Sequence, residues 1–249
     1  MPARFHAPDV AAPGELMTLS AEESEHLTRV LRLAAGAAVR VFDGRGHEFE
    51  AMVETISRGG VLLRIGRPAP AAAERRLAIT LAQAILKGDK MDAIVRDAVM
   101  IGAASIQPMV TSRTEVSGAA LDRGRRLDRW RRIAIASAKQ CGRAVVPQIA
   151  ERHSFADVVG AIEAQRLPSP ALMLVEPGAS AAAMPLRDLG GEPPVEATIL
   201  VGPEGGWTAQ EVEIGAAACR LISFGGLTLR ADTVPMIALA ALFTHWKGF

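Results

Sequence analysis

The stretch of sequence that decides the fold reads L-V-G-P-E-G-G-W-T-A-Q-E and occupies residues 200–211. An apolar strand predicted at 197–201 leads into a glycine loop, after which Thr208 and Glu211 match the T-x-x-E capping box that begins a helix. Glycines let a backbone approach a ligand closely, and ligands of open α/β sheets bind beyond the carboxyl ends of the strands. The stretch predicts an α/β sheet with either a backbone-lined pocket or a plain tight turn here.

A second glycine segment, F-G-G-L-T-L-R-A-D-T at residues 224–233, also leads from a predicted strand into a helix. Because the two segments follow neighbouring strands, we expect them to share one site. Arg230 and Asp232 are candidates for that site, although such a pair is more commonly a surface ion pair, and Asp232 or Thr233 is expected to cap the helix. Neither segment has the G-x-G-x-x-G pattern or the P-loop lysine, so the residues alone indicate no phosphate chemistry.

The rest of the chain divides into a β-rich start and an α/β remainder. Strands predicted at 39–42, 48–56 and 61–65 favour a small barrel, with a helix at 20–33 that directs Leu27, Val30 and Leu31 inward. A Pro/Ala-rich linker at 67–74 separates a predicted domain at 1–70 from one at 75–249. The second domain alternates between predicted strands at 77–84, 105–110, 171–175, 197–201 and 221–224 and helices at 90–101, 121–140, 155–164, 208–219 and 234–246. This alternation predicts a mainly parallel sheet.

Composition excludes several classes of protein. Of the 249 residues, 49% are hydrophobic and 22% charged, which excludes a disordered chain. No apolar run has the ~20 residues that span a bilayer. Cys141 and Cys219 are too few for a disulfide framework or a four-ligand zinc site, and both are expected to be packed thiols. The five histidines show no metal-ligand spacing. We therefore expect a cytoplasmic protein without a metal.

The net charge of +1 conceals an uneven distribution. Residues 113–152 carry 10 basic and 4 acidic side chains, for a net charge of +6, whereas residues 153–249 carry a net charge of −5. The alternatives for the basic block are a solvated helix face and a phosphate-binding surface. Only Asp122 and Asp128 lie close enough in sequence to compensate it, so phosphate contact is favoured. Trp130 is expected to be buried in the core or at a dimer contact.

Short runs spread along the chain carry a family resemblance: R-F at 4–5, H-L-T-R-V-L-R at 26–32, F-D-G at 42–44, K-G-D-K-M-D at 87–92, P-M-V-T-S-R at 108–113, R-W-R-R-I-A at 129–134, A-K-Q-C-G-R at 138–143, L-V-G-P-E-G-G at 200–206 and L-R-A-D-T at 229–233. In this order and spacing the chain resembles the 16S ribosomal RNA uridine-N3 methyltransferase family of the SPOUT superfamily. The resemblance implies a homodimer, an N-terminal PUA-like RNA-binding β-barrel, and an α/β SPOUT domain whose last strand and helix form a trefoil knot. The chain departs from the family pattern at Asp97 and Met100, and no role of the family is assigned to these two residues.

The resemblance also implies a pocket for S-adenosyl-L-methionine, the methyl donor, built from the loop after 172–176 and the loops at 202–206 and 224–230. Leu200 and Leu229 are expected to pack against its adenine. The implied cofactor-binding residues are Leu174, Glu176, Leu200, Gly202, Glu204, Gly205, Gly206, Phe224, Gly225, Leu227 and Leu229. Arg230 is the first candidate for stabilising the uracil anion, with Asp232 orienting it, and Glu204 is a weaker candidate for the base.

The expected RNA contacts are the arginines and the lysine of the basic block, extended by arginines of the first domain. The implied RNA-binding residues are Arg4, Arg29, Arg32, Arg123, Arg125, Arg126, Arg129, Arg132, Lys139 and Arg143. The expected partner is 16S rRNA, within the 30S subunit. Two other functions compete with methyl transfer: a non-catalytic RNA-binding or ribosome-assembly factor on the same fold, and a nucleotide-binding enzyme, against which the missing loop lysine argues.

Overall fold

The computed structural model of the protein describes residues 2–116 and 125–248, with the exception of the Arg125 side chain. The chain forms two compact units. The first contains Met1–Glu74 and Ile135–Val146, and the second contains Arg75–Ala134 and Pro147–Phe249. Residues 135–146, which were predicted to belong to the second domain, group with the first unit.

The first unit is built on a five-stranded sheet with the order β1-β3-β4-β5-β2. Its strands are β1 (Arg4–His6), β2 (Leu16–Thr18), β3 (Ala38–Phe42), β4 (Glu48–Ser57) and β5 (Gly60–Ala69). All neighbouring pairs are antiparallel except β1 and β3, which are parallel. Alternate residues of β3, β4 and β5 point into a core with Phe5 and Leu27, which are both fully buried. The predicted strands are found, whereas β1 and β2 were not predicted.

The predicted helix at 20–33 is shorter and less regular than expected. Helix α1 covers Ala21–Glu25, begins at Ser20, whose side chain accepts a hydrogen bond from the Glu23 backbone, and passes directly into a π-helical turn at His26–Val30. The wider π turn changes the direction in which later side chains point. Leu27 faces the core, but Val30 is 67% exposed and Leu31 39% exposed, so their predicted burial is wrong.

The second unit contains an eight-stranded sheet in which every pair of neighbouring strands is parallel. Its strands are β6 (Ala78–Ala84), β7 (Ser105–Val110), β8 (Gln148–Ile149), β9 (His153–Ser154), β10 (Ala171–Leu174), β11 (Met184–Pro185), β12 (Glu196–Val201) and β13 (Arg220–Ser223). The order is β11-β13-β10-β12-β6-β7-β8, with β9 paired to β7. Strand β10 is buried at all its positions, as expected for a parallel sheet covered on both faces. The predicted mainly parallel sheet is confirmed.

Among the described residues, five α-helices follow strands of this sheet. They are α2 (Lys90–Ile101), α3 (Arg125–Cys141), α4 (Phe155–Glu163), α5 (Ala209–Ala218) and α6 (Val234–His245), with a short 3-10 helix at Leu186–Asp188. The predicted start of the long basic helix, residues 121–124, lies outside the described residues. None of the helices in the described part of the chain is both long and apolar enough to cross a membrane.

The predicted helix boundaries agree with the structure where a cap defines them. Thr208 and Glu211 form both hydrogen bonds of a capping box at the start of α5, and Gly102 ends α2 in the left-handed conformation with a φ of 113°. The predicted cap of α6 is found in its position but not in its hydrogen bond. Thr233 occupies the capping position without a side-chain hydrogen bond, and the Asp232 carboxylate binds Arg230 instead.

The topology determines where a ligand site can form. Strand β10 pairs with β12 on one side and with β13 on the other, all in the same direction. Their carboxyl ends therefore lie at one edge of the sheet, although the three strands are far apart in sequence. The glycine segments that follow β12 and β13 meet the segment that follows β10 at this edge.

Candidate functional site

A pocket lies at the carboxyl ends of β10, β12 and β13 and is enclosed by three loops. The first loop is residues 175–177, the second is 202–207 and the third is 224–233. The pocket is lined by Leu174, Val175, Glu176, Pro177, Val201, Gly202, Pro203, Glu204, Trp207, Phe224, Leu227, Thr228, Leu229, Ala231 and Val234. The two glycine segments thus contribute to one site, together with the segment after β10.

Most of the expected cofactor-binding residues line this pocket, and four do not. Those that do are Leu174, Glu176, Gly202, Glu204, Phe224, Leu227 and Leu229. Leu200 is fully buried in the core between the sheet and helices α4 and α5, so its predicted adenine contact is wrong. Gly205 packs against the Arg113 side chain and Gly206 against Glu176, whereas a Cβ on Gly225 would meet nothing within 4 Å. These three glycines shape the loops without lining the pocket.

Trp207 is the main pocket residue for which no role was predicted. Its indole Nε1 donates a hydrogen bond of 2.7 Å to the Leu174 carbonyl oxygen, which joins the second loop to the end of β10. A Cβ on Gly202 would lie 2.9 Å from the Trp207 ring, so only glycine fits there without a shift of the indole. The signal was available in the sequence, because the glycine at position 202 leaves room for the large aromatic residue that ends the same loop.

Two carboxylates, those of Glu176 and Glu204, line the pocket, and no lysine, arginine or histidine belongs to this set of described lining residues. Glu204 Oε1 accepts hydrogen bonds from Lys90 Nζ at 2.8 Å and from the Lys87 backbone N–H at 3.2 Å. Partial burial opposes ionisation of Glu204, but these hydrogen bonds and the Lys90 charge outweigh it and lower its pKa. A carboxylate held ionised in this way is a poor proton acceptor, which argues against Glu204 as the base.

Arg230 and Asp232 form a two-point ion pair beside the pocket. Arg230 Nε lies 3.0 Å from Asp232 Oδ1, and Arg230 Nη2 lies 2.6 Å from Asp232 Oδ2. The hydrogen bond from Arg230 lowers the pKa of Asp232. The Arg230 side chain is 74% exposed and does not line the pocket, whereas Ala231 between the two residues does. The pair is therefore placed at the outside edge of the third loop, where an incoming macromolecule can reach it.

Acidic residues that lie outside the basic helix α3 neutralise part of its positive charge. Arg129 Nε donates a 2.7 Å hydrogen bond to Asp92 of α2, and Arg131 lies 3.5 Å from Glu151. The prediction that only nearby aspartates would balance this helix is thus wrong for Arg129, whereas Arg131 also lies 3.7 Å from Asp128 on the same helix. Arg132 is exposed and Arg126 is half-buried. Arg123 and the side chain of Arg125 lie outside the described residues. Trp130 is buried, as predicted.

Three expected RNA contacts are instead internal to the first unit. Arg4 is 9% exposed and binds Glu48 through Nη2 at 2.8 Å, while it also donates to three backbone carbonyls. Lys139 is 13% exposed and lies 2.6 Å from Glu23. Arg143 is 8% exposed and lies 2.6 Å from Glu74. Side chains that are buried and paired in this way are not available to phosphates, so the structure corrects these three assignments.

The other two expected contacts of the first unit are on its surface. Arg29 is 80% exposed and pairs with Glu25 on the same turn. Arg32 is exposed and has a φ of 51°, an uncommon conformation for a residue other than glycine. Both arginines can reach a solvent-borne ligand.

The two cysteines form no disulfide bond, and burial raises the pKa of the Cys219 thiol to about 12, as expected for a packed residue.

Comparison with protein families gives the class of this protein. Residues 73–243 match the family described as an RNA methyltransferase domain, and residues 19–66 match the RNA methyltransferase PUA domain. The class is thus the RNA methyltransferases in which a PUA domain precedes a parallel-sheet domain with a loop-built pocket. The predicted fold class, an α/β domain preceded by a PUA-like domain, is confirmed.

Similar proteins narrow the class to one family. The ribosomal RNA small subunit methyltransferase E of Synechocystis is 30% identical over 247 residues, which cover 94% of this chain and 76% of the relative. A crystal structure of the same enzyme from Neisseria gonorrhoeae, bound to S-adenosyl methionine, is 30% identical with a TM-score of 0.86 and covers 99% of this chain and 98% of that one. A methyltransferase structure from Legionella pneumophila with bound SAM is 29% identical with a TM-score of 0.88, and the match covers 98% of each chain. The chain belongs to the ribosomal RNA small subunit methyltransferase E family.

Proposed function

We propose that the protein transfers a methyl group from S-adenosylmethionine to N3 of a specific uridine in 16S ribosomal RNA. The observation that carries the proposal is the loop-built pocket at the carboxyl ends of β10, β12 and β13, in a chain of this family. The pocket combines apolar walls, main-chain groups of a glycine loop and two carboxylates. The RNA methyltransferase PUA domain supports RNA as the acceptor.

The residues present fit S-adenosylmethionine chemically. The molecule has an apolar, flat adenine and two positively charged groups, a sulfonium and an ammonium. Leu174, Phe224 and Leu229 offer apolar surface for the adenine. Glu176 offers negative charge for these groups, and Glu204 offers a carboxylate whose charge Lys90 partly neutralises from 2.8 Å. These residues would hold the donor, in agreement with the SAM bound to the relatives from Neisseria and Legionella.

The chemistry requires positioning more than side-chain nucleophiles. When bound, S-adenosylmethionine supplies an electrophilic methyl group and a neutral thioether leaving group. The protein has to bring N3 of uridine into line with that methyl group, and such positioning can lower the barrier by several kcal/mol. It must also stabilise the negative charge that remains on the uracil ring when the N3 proton leaves.

We infer that Arg230 stabilises this charge as a catalytic residue and that Asp232 positions it. The two-point bond to Asp232 fixes the guanidinium plane, and the 74% exposure of Arg230 leaves its remaining N–H groups accessible to a base at the pocket edge. Removal of one such donor commonly slows the chemical step by about 10²–10³-fold. Arg230→Ala is expected to lower the single-turnover rate at saturating RNA by that order, and Arg230→Lys by less. A wild-type rate for Arg230→Ala would exclude the role.

The acceptor RNA is proposed to contact the exposed arginines. Of the arginines expected to bind RNA, Arg29, Arg32, Arg129 and Arg132 are exposed and Arg126 is half-buried, while Arg123 and Arg125 remain proposals from the sequence. Binding through phosphate contacts weakens steeply as salt rises. We further propose that the enzyme works as a cytoplasmic homodimer, knotted at its C-terminal end, on 16S rRNA within the 30S subunit.

The experiment that tests the function is methyl transfer from labelled S-adenosylmethionine to 30S subunits and to naked 16S rRNA. Label is expected in 16S rRNA, with the 30S subunit as the better substrate. Calorimetry with S-adenosylmethionine separates the enzyme from an RNA-binding assembly factor of the same fold. A chain that binds RNA but neither binds S-adenosylmethionine nor transfers label would be that factor.

A further inference from the structure

The segment that follows β7 belongs to the P-M-V-T-S-R run at 108–113, to which the proposed mechanism gives no role. It makes a tight turn, in which the Thr111 backbone N–H donates to Thr114 Oγ1 at 3.0 Å. This turn directs two consecutive residues, Ser112 and Arg113, toward the second loop. Their contacts with that loop join positions that are about 90–100 residues apart in sequence.

Arg113 binds the second loop at two backbone carbonyls. Its Nη1 donates to the Gly205 carbonyl oxygen at 2.8 Å and to the Trp207 carbonyl oxygen at 3.1 Å. The stem of the side chain also packs against the loop, because a Cβ on Gly205 would lie 3.1 Å from the Arg113 Cβ. The glycine and the arginine therefore fit together, and two carbonyls of the loop are bound by one side chain.

The neighbouring residue fixes the far end of the same loop. The Ser112 backbone N–H donates to Glu211 Oε1 at 2.8 Å, and the other oxygen of Glu211 accepts from the Thr208 backbone N–H at 2.9 Å. Glu211 is only 4% exposed. The second loop is thus bound by the β7 segment both at Gly205–Trp207 and at the start of α5.

These contacts reach the pocket through Trp207. Its indole lines the pocket, lies against Gly202 and donates to the Leu174 carbonyl oxygen at 2.7 Å. Bonds to the Trp207 carbonyl oxygen determine where this backbone, and hence the indole, can lie. Arg113 itself is exposed and does not line the pocket.

We propose that Arg113 is a positioning residue of the methyl-donor pocket, which holds the second loop in its binding conformation through the Gly205 and Trp207 carbonyls. The inference rests on the proposed function, since it assumes that the donor binds in this pocket. Both bonds leave one nitrogen, Nη1, whose two N–H groups are held in the rigid guanidinium plane, whereas a lysine ammonium rotates freely at the end of a flexible stem. A positive charge at position 113 is therefore not sufficient by itself to hold both carbonyls of the loop.

The test compares Arg113→Lys and Arg113→Ala with Arg96→Ala. Arg96 is a matched control, because it is a half-exposed arginine of the same unit whose guanidinium binds its helix neighbour Asp97. Titration calorimetry is expected to give a Kd for S-adenosylmethionine that rises roughly tenfold or more in both Arg113 variants and stays unchanged in Arg96→Ala. With the RNA at saturation, KM for the donor should rise in parallel while kcat stays within about twofold.

Hydrogen exchange of the ligand-free proteins provides a readout that does not depend on activity. The amides of Gly202 and of residues 204–207 are expected to exchange faster in both Arg113 variants than in the wild type or in Arg96→Ala, with melting temperatures that show folded protein. Wild-type affinity and exchange in Arg113→Lys would overturn the inference, and so would a fall in kcat without a change in Kd. If the wild type itself bound no S-adenosylmethionine, the proposed function would fail first, and this inference with it.

Discussion

Two glycines of the pocket loops provide a matched pair of mutations that separates fold stability from donor binding. Gly206 in the second loop has a φ of 68°, and Gly225 in the third loop has a φ of 75°. Both are in the left-handed region, which L-residues with a Cβ rarely adopt. An alanine at either position therefore carries the same backbone penalty, and only the surroundings of the new methyl group differ.

The surroundings differ sharply. A Cβ on Gly225 would meet no heavy atom within 4 Å. A Cβ on Gly206 would lie 3.1 Å from the Glu176 carboxyl carbon and closer still to its Oε1, so the carboxylate must move. The left-handed conformation costs an alanine about 1–2 kcal/mol, which lowers the melting temperature of a domain of this size by about 2–4 °C per kcal/mol. The end of a flexible glutamate moves at little further cost, so the two variants should lose similar stability.

Donor binding should distinguish them. Gly206→Ala displaces one of the two carboxylates that line the pocket, and the loss of a charged hydrogen-bond partner is expected to weaken S-adenosylmethionine binding roughly tenfold. Gly225→Ala should bind within about twofold of wild type. Calorimetry gives both Kd values and scanning fluorimetry gives both melting temperatures. In a Glu176→Ala background the binding effect of Gly206→Ala should disappear. Equal losses of affinity in the two single variants, or a persistent effect in that background, would refute the reasoning.

Three further predictions concern charged groups. Arg4→Ala should lower the free energy of unfolding in urea by about 3 kcal/mol, because the buried Glu48 carboxylate loses its two-point partner and keeps the longer 3.5 Å ion pair with Arg40. Arg29→Ala, from an exposed pair, should stay near wild type, and equal losses would contradict this. Burial lowers the pKa of His6 from 6.5, so stability should fall as pH drops below 6.5 toward the folded-state pKa, and melting curves of His6→Asn should show a shallower fall. Lys90→Gln removes the cation that keeps the pKa of Glu204 low, so the loss of donor binding at acid pH, followed by calorimetry, should move to higher pH than in wild type or Lys90→Arg.

Local patterns predicted the parts of the fold that short stretches of chain determine. The capping box at Thr208, the glycine stop at residue 102 and the apolar strands of the parallel sheet were all legible, because each depends on residues within a few positions of one another. The same reasoning failed at Val30 and Leu31. A change from α- to π-helical winding at His26 turned them to solvent, and the apolar period carries no sign of that change.

The candidate site was predictable in position but not in detail. Both glycine segments follow strand ends, so their meeting at one sheet edge could be anticipated. Which side chains face the pocket depends on tertiary packing, and for this reason Leu200 lies in the core while Trp207 lines the pocket. Glu204 binds Lys90, which lies 114 residues away in sequence, and the Gly205 carbonyl oxygen binds Arg113, which lies 92 residues away.

The basic block illustrates the same limit for charge. Its net charge of +6 predicts a phosphate-binding surface, and part of it lies on the exposed side of α3. Lys139 and Arg143 instead bind Glu23 and Glu74 inside the first unit, 116 and 69 residues away. A sum over a sequence window counts charges but does not show which of them are already paired by folding.

The central claim, methyl transfer to N3 of a uridine in 16S rRNA, is tested most directly by identifying the modified nucleoside. Methylated 16S rRNA is digested to nucleosides, which are separated by liquid chromatography and detected by mass spectrometry against standards of 3-methyluridine, 5-methyluridine and 2′-O-methyluridine. These three isomers have equal mass and different retention. We predict that the label comigrates with 3-methyluridine alone. Label in either of the other two nucleosides, or in a base other than uracil, would contradict the account.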